Sequence, residues 1–459
     1  MKTKATYLNL FLPYLSLLLK KASQKVLKRS LSISSTAKYS ILLSIFLTNA
    51  CYGQINVGLF SDSNTFFVFI NTDKSSAKNL KEMKRIVQDD LLFSNYFSLP
   101  SRRSETVDTF TLKKEGKEVH LMHTPPFCSS YNKVANYSLG TLEQNRATAH
   151  AIADKICADV ASKQGIADTK ILYSKQIHNE NSAGETKWFS ETWQCDYDGK
   201  KHTQLSKRDI YSITPVFLQR AGCSVDNKFL FVSYAYGEAK IFLSSAADLE
   251  PFISLSGNQM LPSCSFQGDK IAFISDISGH VDLFIQYIDP HTLKPSSKPI
   301  QVFSVAGSVQ ASPSFRPDGK KIAFVSDHEK TPRIYIIDVP SPLGSRQTGR
   351  YFCLSRKYRE NTNPCWSPDG RKIAYSAKID GIRQIVIYDF IKKEEKQISS
   401  SPVHKENPCW SPSGEHLVFN TIAGNASELF TFNLKQEKLV QITSGPHKKH
   451  YPNWGPYTK

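Results

Sequence analysis

The few residues of this chain that could carry chemistry are not spaced for catalysis. His120 and His123 could ligate a metal, but three positions apart in a strand-like segment they point to opposite faces. Asp318 and Asp369 recur at equivalent places in tight turns, and turn formation explains them. We therefore predict no metal site and no cofactor.

Catalytic motifs are also missing from the sequence. It contains no Gly-x-Ser-x-Gly elbow, no His-Glu-x-x-His and no Gly-rich loop ending in Gly-Lys-Ser/Thr. Some peptidases carry repeats like those described below in front of a hydrolase domain, whereas this chain stops at its repeats. We predict that it is not an enzyme.

Eight cysteines follow the first fifty-three residues, at positions 128, 157, 195, 223, 264, 353, 365 and 409. No Cys-x-x-Cys pair occurs, which argues against zinc. Cys365 and Cys409 occupy the same position in adjacent repeats, but a disulfide between them is the less favoured interpretation, because we expect their strands to lie too far apart. Most of the cysteines are predicted to be buried thiols.

Residues 1–53 have the order of a secretory signal. The first fifty contain eight Lys or Arg and no acid, then an apolar run at 41–47 and small residues near a cleavage site at Ala50 or Gly53. Lipidation of Cys51 is disfavoured, because Thr48 stands where that signal has Leu. No stretch reaches the ~18 apolar residues of a spanning helix, so we predict no membrane span in the mature chain.

The chain is basic, with a net charge of +17 that falls once the leader is removed. Basic clusters such as residues 356–359 and 447–450 are scattered, which does not indicate a nucleic-acid groove. A solvated basic exterior is the favoured interpretation, and we predict no nucleic-acid partner.

The second half of the chain repeats one motif, seen in "NPCWSPDGRKIAYSA" and "NPCWSPSGEHLVFNT". Its prolines fall at 262, 313, 364, 408 and 452, at intervals of 51, 51, 44 and 44 residues, with a degenerate copy at Pro215. A Gly-containing hairpin turn and an alternating apolar run follow each of the prolines from 262 to 408, and two further strands complete the unit. Four short strands recurring at this period predict propeller blades, with Trp366 and Trp410 wedged between blades.

The ring is predicted to close through its last strand. "YPNWGPYTK" is an innermost strand with no partner after it, and the missing three strands lie at 169–177, 191–199 and 201–207. The blades therefore number six, and closure leaves no free edge there. The fold class is an α/β amino-terminal domain plus an all-β six-bladed propeller, four antiparallel strands per blade, closed by the C-terminal strand. The predicted division is 54–165 for the α/β domain and 166–459 for the propeller.

Residues 54–165 alternate helical and strand patterns. Strands are predicted at 55–60, 65–70 and around 106–112 and 118–123. One helix is predicted from Ser76 to Phe93, capped by Ser75 or Ser76, and a second from Arg146 to Lys163.

With a leader, a small α/β domain and six blades built on "P-x-W-S-P-D-G-x-K-I-A" and ended by "P-x-W-x-P-Y", the chain resembles the TolB family, periplasmic components of the bacterial Tol-Pal system. The first repeat departs from this pattern, with "VFLQRAG" after Pro215 and Cys264 in place of the usual aromatic. The resemblance implies a periplasmic adaptor that supports outer-membrane integrity and envelope constriction in cell division, with a role in protein import.

The same resemblance implies two binding sites. The propeller rim would bind the lipoprotein Pal through the residues just before the inner-strand prolines: Asn258, Leu261, Ala311, Ser312, Thr362, Asn363, Glu406 and Asn407. The mature amino terminus would bind the inner-membrane protein TolA through Gln54, Ile55, Asn56, Val57 and Gly58. An enzyme or lectin-like ligand-binding module with its site in the central channel is the alternative.

Overall fold

The computed structural model describes residues 65–72, 78–180, 186–206, 211–220, 223–244, 250–341, 349–424 and 426–457. The predicted leader and the predicted TolA segment, residues 54–58, lie outside these ranges, as do the predicted strand at 55–60 and the helix caps at 75 and 76.

The amino-terminal part is one mixed sheet with two helices. Its strands are β1 (Phe66–Thr72), β2 (Phe97–Ser98), β3 (Asp108–Glu115), β4 (Glu118–Thr124) and β5 (Asn132–Ser138), and its helices are α1 (Lys78–Phe93) and α2 (Leu142–Ala161). The sheet order is β2-β1-β3-β4-β5, with β1 parallel to both of its neighbours.

Both helices bury one apolar stripe, as their spacing predicts. α1 buries Leu80, Met83, Ile86, Val87 and Leu91. α2 begins four residues before the predicted start at Arg146, because Thr141 and Gln144 form a capping box that satisfies the first backbone N–H groups. It ends at Ala161, before the predicted Lys163, because Ser162 turns left-handed with φ 52°.

The remaining strands form six sheets around one axis. They are β6 (Lys170–Glu180), β7 (Thr186–Asp196), β8 (Thr203–Gln204), β9 (Ser212–Arg220), β10 (Cys223–Ser233), β11 (Lys240–Leu243), β12 (Gln259–Cys264), β13 (Lys270–Ser275), β14 (Asp282–Tyr287), β15 (Ile300–Phe303), β16 (Gln310–Phe315), β17 (Lys321–Ser326), β18 (Arg333–Asp338), β19 (Tyr351–Cys353), β20 (Asn361–Trp366), β21 (Lys372–Ile379), β22 (Ile382–Asp389), β23 (Glu394–Gln397), β24 (His404–Trp410), β25 (His416–Ala423), β26 (Ala426–Asn433), β27 (Lys438–Gln441) and β28 (Lys448–Trp454). The six-bladed propeller is confirmed.

Each repeat motif forms the innermost strand and first turn of a blade. In the blade of β20, the Gly370 N–H donates to the Ser367 carbonyl over 2.9 Å, and Gly370 has φ 65° as such a turn requires. Trp366 then packs beside Ala323 and Val325 of the preceding blade. The tryptophans are therefore wedged between blades, as predicted.

The first blade is irregular. Its described part contains three strands in the order β11-β10-β9, and the strand pairing shifts twice between β9 and β10. The Phe252 N–H donates to the Ile241 carbonyl over 2.7 Å. In a regular blade the Leu354 N–H donates to the Ile334 carbonyl in the same way, directly after the fourth strand. Phe252 therefore lies where a fourth strand ends.

The last blade closes the ring as predicted, with strand order β28-β6-β7-β8. Asn453 pairs with Leu172 and Trp454 with Ile171, and the Trp454 indole N–H donates to the Thr169 hydroxyl over 2.9 Å. The third strand of this blade starts at Thr186 and not at residue 191 as predicted, because its pairing with β6 continues to Glu180.

The α/β part covers one end of the propeller. Inner strands begin at the end we call the rim, so their first turns lie at the opposite end. Residues just after such a turn contact the α/β part: Glu415 accepts from the Asn95 amide over 3.3 Å, and His416 stacks on Phe93 with ring centroids 4.2 Å apart. One apolar core joins the two parts, including Ile156 and Trp454. Among the described residues that line the cavity at the rim, none belongs to the α/β part.

In the parts of the chain that the structure describes, no helix is long and apolar enough to cross a membrane.

Candidate functional site: the propeller rim and channel

A ring of left-handed residues surrounds the channel at the rim. The residue before each inner-strand proline has a positive φ, between 47° and 55°: Thr214, Leu261, Ser312, Asn363, Asn407 and Tyr451. None is a glycine, so each adopts a conformation that costs of order 1 kcal/mol. In the regular blades this residue lies in a break of the ladder, for example between the pairs formed by Thr362 and Cys365.

These six residues, their prolines and the residues that follow line one cavity of about 160 Å³ on the propeller axis. Above it, the mouth of the channel opens into a cavity of about 480 Å³. Seven of the eight predicted rim residues line this mouth: Leu261, Ala311, Ser312, Thr362, Asn363, Glu406 and Asn407. The structure therefore brings these seven side chains to one concave surface.

Asn258, the eighth predicted rim residue, does not line the mouth. Its backbone N–H donates to the Asp276 carboxylate over 2.7 Å, and its side-chain oxygen accepts from the Ala239 N–H over 3.0 Å. The Asn258 side-chain amide, which also donates to Asp276, lowers the pKa of that carboxyl group. Asn258 therefore ties the loop before β12 both to its own blade, through Asp276, and to the preceding blade, through Ala239.

Arg383 is a mouth residue that the sequence analysis missed. Its guanidinium lies 3.1 Å from Glu406 and donates to the Thr362 hydroxyl over 3.2 Å, joining residues of two blades. Among the described residues that line the mouth, Arg383 and Glu406 are the charged ones. Burial, and then Lys448, lowers the pKa of His450 to about 4, so this ring is neutral at neutral pH. The mouth is polar with little net charge.

Arg383 could have been found from topology. It follows the turn between the second and third strands, and in an antiparallel blade that turn returns to the end at which the inner strand begins.

Buried polar side chains three residues before the prolines hold the rim loops. Lys405, only 2% exposed, donates to the Ser401 hydroxyl over 2.7 Å and to the Val403 carbonyl over 2.9 Å. Gln259 donates to the Leu255 carbonyl over 2.8 Å from the same position of its blade. Asn361 and Lys449 donate to loop carbonyls from the same position, so an amide or ammonium holds four of the rim loops in place.

One residue beyond the prolines at 313, 408 and 452, side chains link neighbouring blades. The Trp366 N–H donates to the Ser314 hydroxyl over 3.2 Å, and the Phe217 N–H donates to the Asn453 side chain over 2.9 Å. Cys409 accepts the Trp454 N–H over 3.3 Å in the same way. These bonds join blades at the centre of the channel.

Cys365 and Cys409 are closer than we expected. Both are free thiols, so no disulfide joins them, yet each shifts the pKa of the other across the blade boundary. The inner strands converge at the axis, which brings both cysteines to one cavity. Both sulfurs line the channel.

The other chemistry-bearing residues have separate structural partners. His120 hydrogen-bonds Asn136 over 2.6 Å and His123 hydrogen-bonds Asp108 over 2.6 Å. Asp369 accepts the Arg371 N–H over 3.0 Å within its turn, as expected. Across the described ranges, no three or more His, Cys, Asp or Glu residues are grouped so that they could hold a metal ion.

Comparison with known proteins agrees with this architecture. The TolB β-propeller domain family matches residues 158–458. "Protein TolB homolog" of Protochlamydia amoebophila is 42% identical over 269 residues, which are 58% of this chain and 57% of that protein. The homolog from Chlamydia trachomatis serovar L2 is 34% identical over 300 residues, 65% of this chain and 64% of that protein. The chain thus matches about 57% to 64% of the length of these relatives.

A solved structure shares the fold. The crystal structure of TolB from Acinetobacter baumannii superposes with a TM-score of 0.65 at 21% identity, over 86% of this chain and 98% of that one. The family match spans the closed ring of blades that forms the rim and channel. The chain belongs to the TolB β-propeller family.

Proposed function

We propose that the chain is a non-catalytic adaptor of the Tol-Pal system, which binds Pal through the propeller rim. The supporting observation is the division of the propeller's two ends. The α/β part packs on one end, whereas the concave mouth at the other end is open and lined by seven of the predicted contact residues. A broad rim around a channel suits a docked protein surface.

The mouth favours a partner that inserts a polar, nearly neutral loop. Its lining offers amides and hydroxyls, such as Asn363, Asn407 and Thr362, beside one internally paired charge couple. Because the loops are fixed by buried side chains, little ordering entropy opposes binding.

We further propose that residues 54–58 bind TolA. This proposal rests on the family resemblance, since the segment lies outside the described residues. An adaptor with one contact at the rim and another at its amino terminus would link Pal in the outer membrane to TolA in the inner membrane. That link would support outer-membrane integrity, constriction during cell division and protein import.

The proposal places the mature protein in the periplasm. It includes removal of residues 1–53 and a division of the remainder into an α/β domain, 54–165, and a propeller domain, 166–459. The basic, acid-free leader and its apolar run support export.

A calorimetric titration tests the rim. The cognate Pal lipoprotein, without its lipid, is titrated into the purified chain and into Ala311→Trp and Glu406→Lys variants. Ala311 lines the mouth and is half-buried, so an indole there fills the space of the partner. Glu406→Lys replaces the partner of Arg383 with a second cation. Each variant should weaken binding at least tenfold.

Ile391→Trp is the matched control, because Ile391 is 73% exposed and does not line the mouth. It should bind Pal as the unsubstituted chain does. Circular dichroism must show that all variants fold. If the folded, unsubstituted chain fails to bind Pal, the proposal is refuted and the channel-site alternative becomes the working hypothesis.

A further inference from the structure

Two cysteines at the centre of the channel form a pair that the proposed adaptor role does not use. Cys365 and Cys409 each follow an inner-strand proline, in β20 and β24 of adjacent blades. They line both the cavity on the rim side and a second cavity of about 340 Å³ towards the opposite end. Both are half-buried, so a small molecule in the channel can reach them.

The surrounding bonds hold the two strands in fixed register at this point. The Trp410 indole N–H donates to the Cys365 carbonyl over 3.0 Å, across the blade boundary. Each thiol shifts the pKa of the other across the blade boundary, and the Trp454 N–H donates to Cys409 from the opposite side over 3.3 Å. The backbone therefore fixes the two strands at the point where both cysteines line the channel.

We propose that Cys365 and Cys409 are a modification site: a dithiol that small disulfides, such as glutathione disulfide, oxidise to a cross-link between adjacent blades. The Cys365 thiolate attacks one sulfur of the small disulfide, forms a mixed disulfide and releases the first thiol. Cys409 then gives up its proton and attacks the Cys365 sulfur, which releases the second thiol. Two electrons pass to the oxidant, and the two cysteine protons end on the released thiols.

The order of attack follows from the environment of each sulfur. The neighbouring Cys409 thiol, and after it the Trp410 backbone and the Ser314 hydroxyl, lower the pKa of Cys365, although burial opposes the shift. The pKa of Cys409 is raised, because its sulfur faces that of Cys365 and is buried. Cys365 is therefore the first nucleophile.

The cross-link would act on the rim itself. Asn363 and Asn407 precede the cysteines by two residues and are left-handed members of the ring at the mouth. A covalent bond between the two strands would fix the spacing of these side chains.

Peptide mapping of the oxidised full chain tests the proposal. The reduced chain is incubated with glutathione disulfide, the remaining thiols are alkylated and the protein is digested with trypsin. We expect a cross-linked pair made of residues 360–371 and 406–435, each with one cysteine. We also expect the loss of two free thiols and of about 2 Da, the mass of two hydrogens.

Three variants assign the cross-link. Cys365→Ser and Cys409→Ser should each abolish it, whereas Cys264→Ser should retain it; Cys264 lines the same channel in another blade and is the matched control. Stable glutathione adducts on either cysteine, a cross-link to a third cysteine, or a pair that stays reduced in excess oxidant would each overturn the proposal. Mapping of the unsubstituted chain decides the matter even if a variant fails to fold.

Discussion

The pH dependence of stability provides a stringent test of how the α/β part is fastened to the propeller. His150 on α2 lies between two carboxylates: Nδ1 is 2.7 Å from Asp90 of α1, and Nε2 is 3.7 Å from Asp196 of the last blade. The side chains of His150 and Asp90 are 1% and 2% exposed. Arg146 and Lys170 also contact Asp196, at 2.8 and 2.9 Å, so the cluster joins both parts of the molecule.

These contacts hold His150 in its charged form. Burial opposes the charge, but the nearby Asp196 carboxylate and the hydrogen-bonded Asp90 carboxylate outweigh it and raise the pKa from its usual 6.5 to about 9. A shift of this size corresponds to about 3 kcal/mol. Because the folded chain binds this proton more tightly than the unfolded chain, the stabilisation is complete below pH ~6.5 and is lost as the pH rises through ~9.

The perturbation is His150→Gln, which keeps hydrogen-bonding capacity but removes the titration. Urea unfolding followed by circular dichroism at about pH 6, 7.5 and 9.5 gives the free energy of unfolding of both proteins. The unsubstituted chain should have the larger free energy of unfolding at pH 6. Its advantage over the variant should shrink by up to about 3 kcal/mol at pH 9.5.

His291→Gln is the control, since His291 is exposed. Its free-energy profile should follow that of the unsubstituted chain at every pH. A difference between the unsubstituted chain and His150→Gln that stays constant with pH, or that grows as the pH rises, would refute the reasoning.

Three further predictions concern the propeller, and urea unfolding measures each. Lys405→Met should lower the free energy of unfolding by about 2 kcal/mol, because buried loop acceptors lose their donor; Lys438→Met, at an exposed site, should change it little. Trp410→Phe should cost about 1–2 kcal/mol more than Trp366→Phe, because the Trp410 indole donates to a carbonyl whereas the buried Trp366 indole N–H has no hydrogen-bond partner among the described residues; equal costs would contradict this. Removing residues 452–459 should abolish cooperative unfolding, because the shared blade loses Trp454 and its pairing with β6; an unchanged transition would show that closure is dispensable.

Local patterns predicted most of the fold. The turn and alternation of "SPDGRKIAYSA" specify a hairpin wherever they occur, and their period specifies blades. The unpaired motif ending at Trp454 predicted ring closure, because an inner strand needs a second strand beside it. The boundaries were less accurate where a contact outside the pattern decides them, as at Thr141, whose capping box starts α2 early.

The rim was only partly predictable from the sequence. Position one or two residues before a proline located seven mouth residues, whereas Asn258 lies four residues before Pro262 and is used for a bond to Asp276. Arg383 was missed because its place at the mouth depends on contacts with Glu406 and Thr362 from two other strands. The contact between Cys365 and Cys409 was likewise hidden, since it depends on how closely neighbouring blades approach at the axis.

Hydrogen–deuterium exchange of the complex with Pal tests the central claim most directly, because it locates the contact without any substitution. The account predicts slowed exchange in the loops and inner strands at 310–314, 360–365 and 404–409, and no change in the turns at the opposite end, 318–320 and 390–393. Protection confined to that opposite end or to the outermost strands, with the rim unchanged, would contradict it.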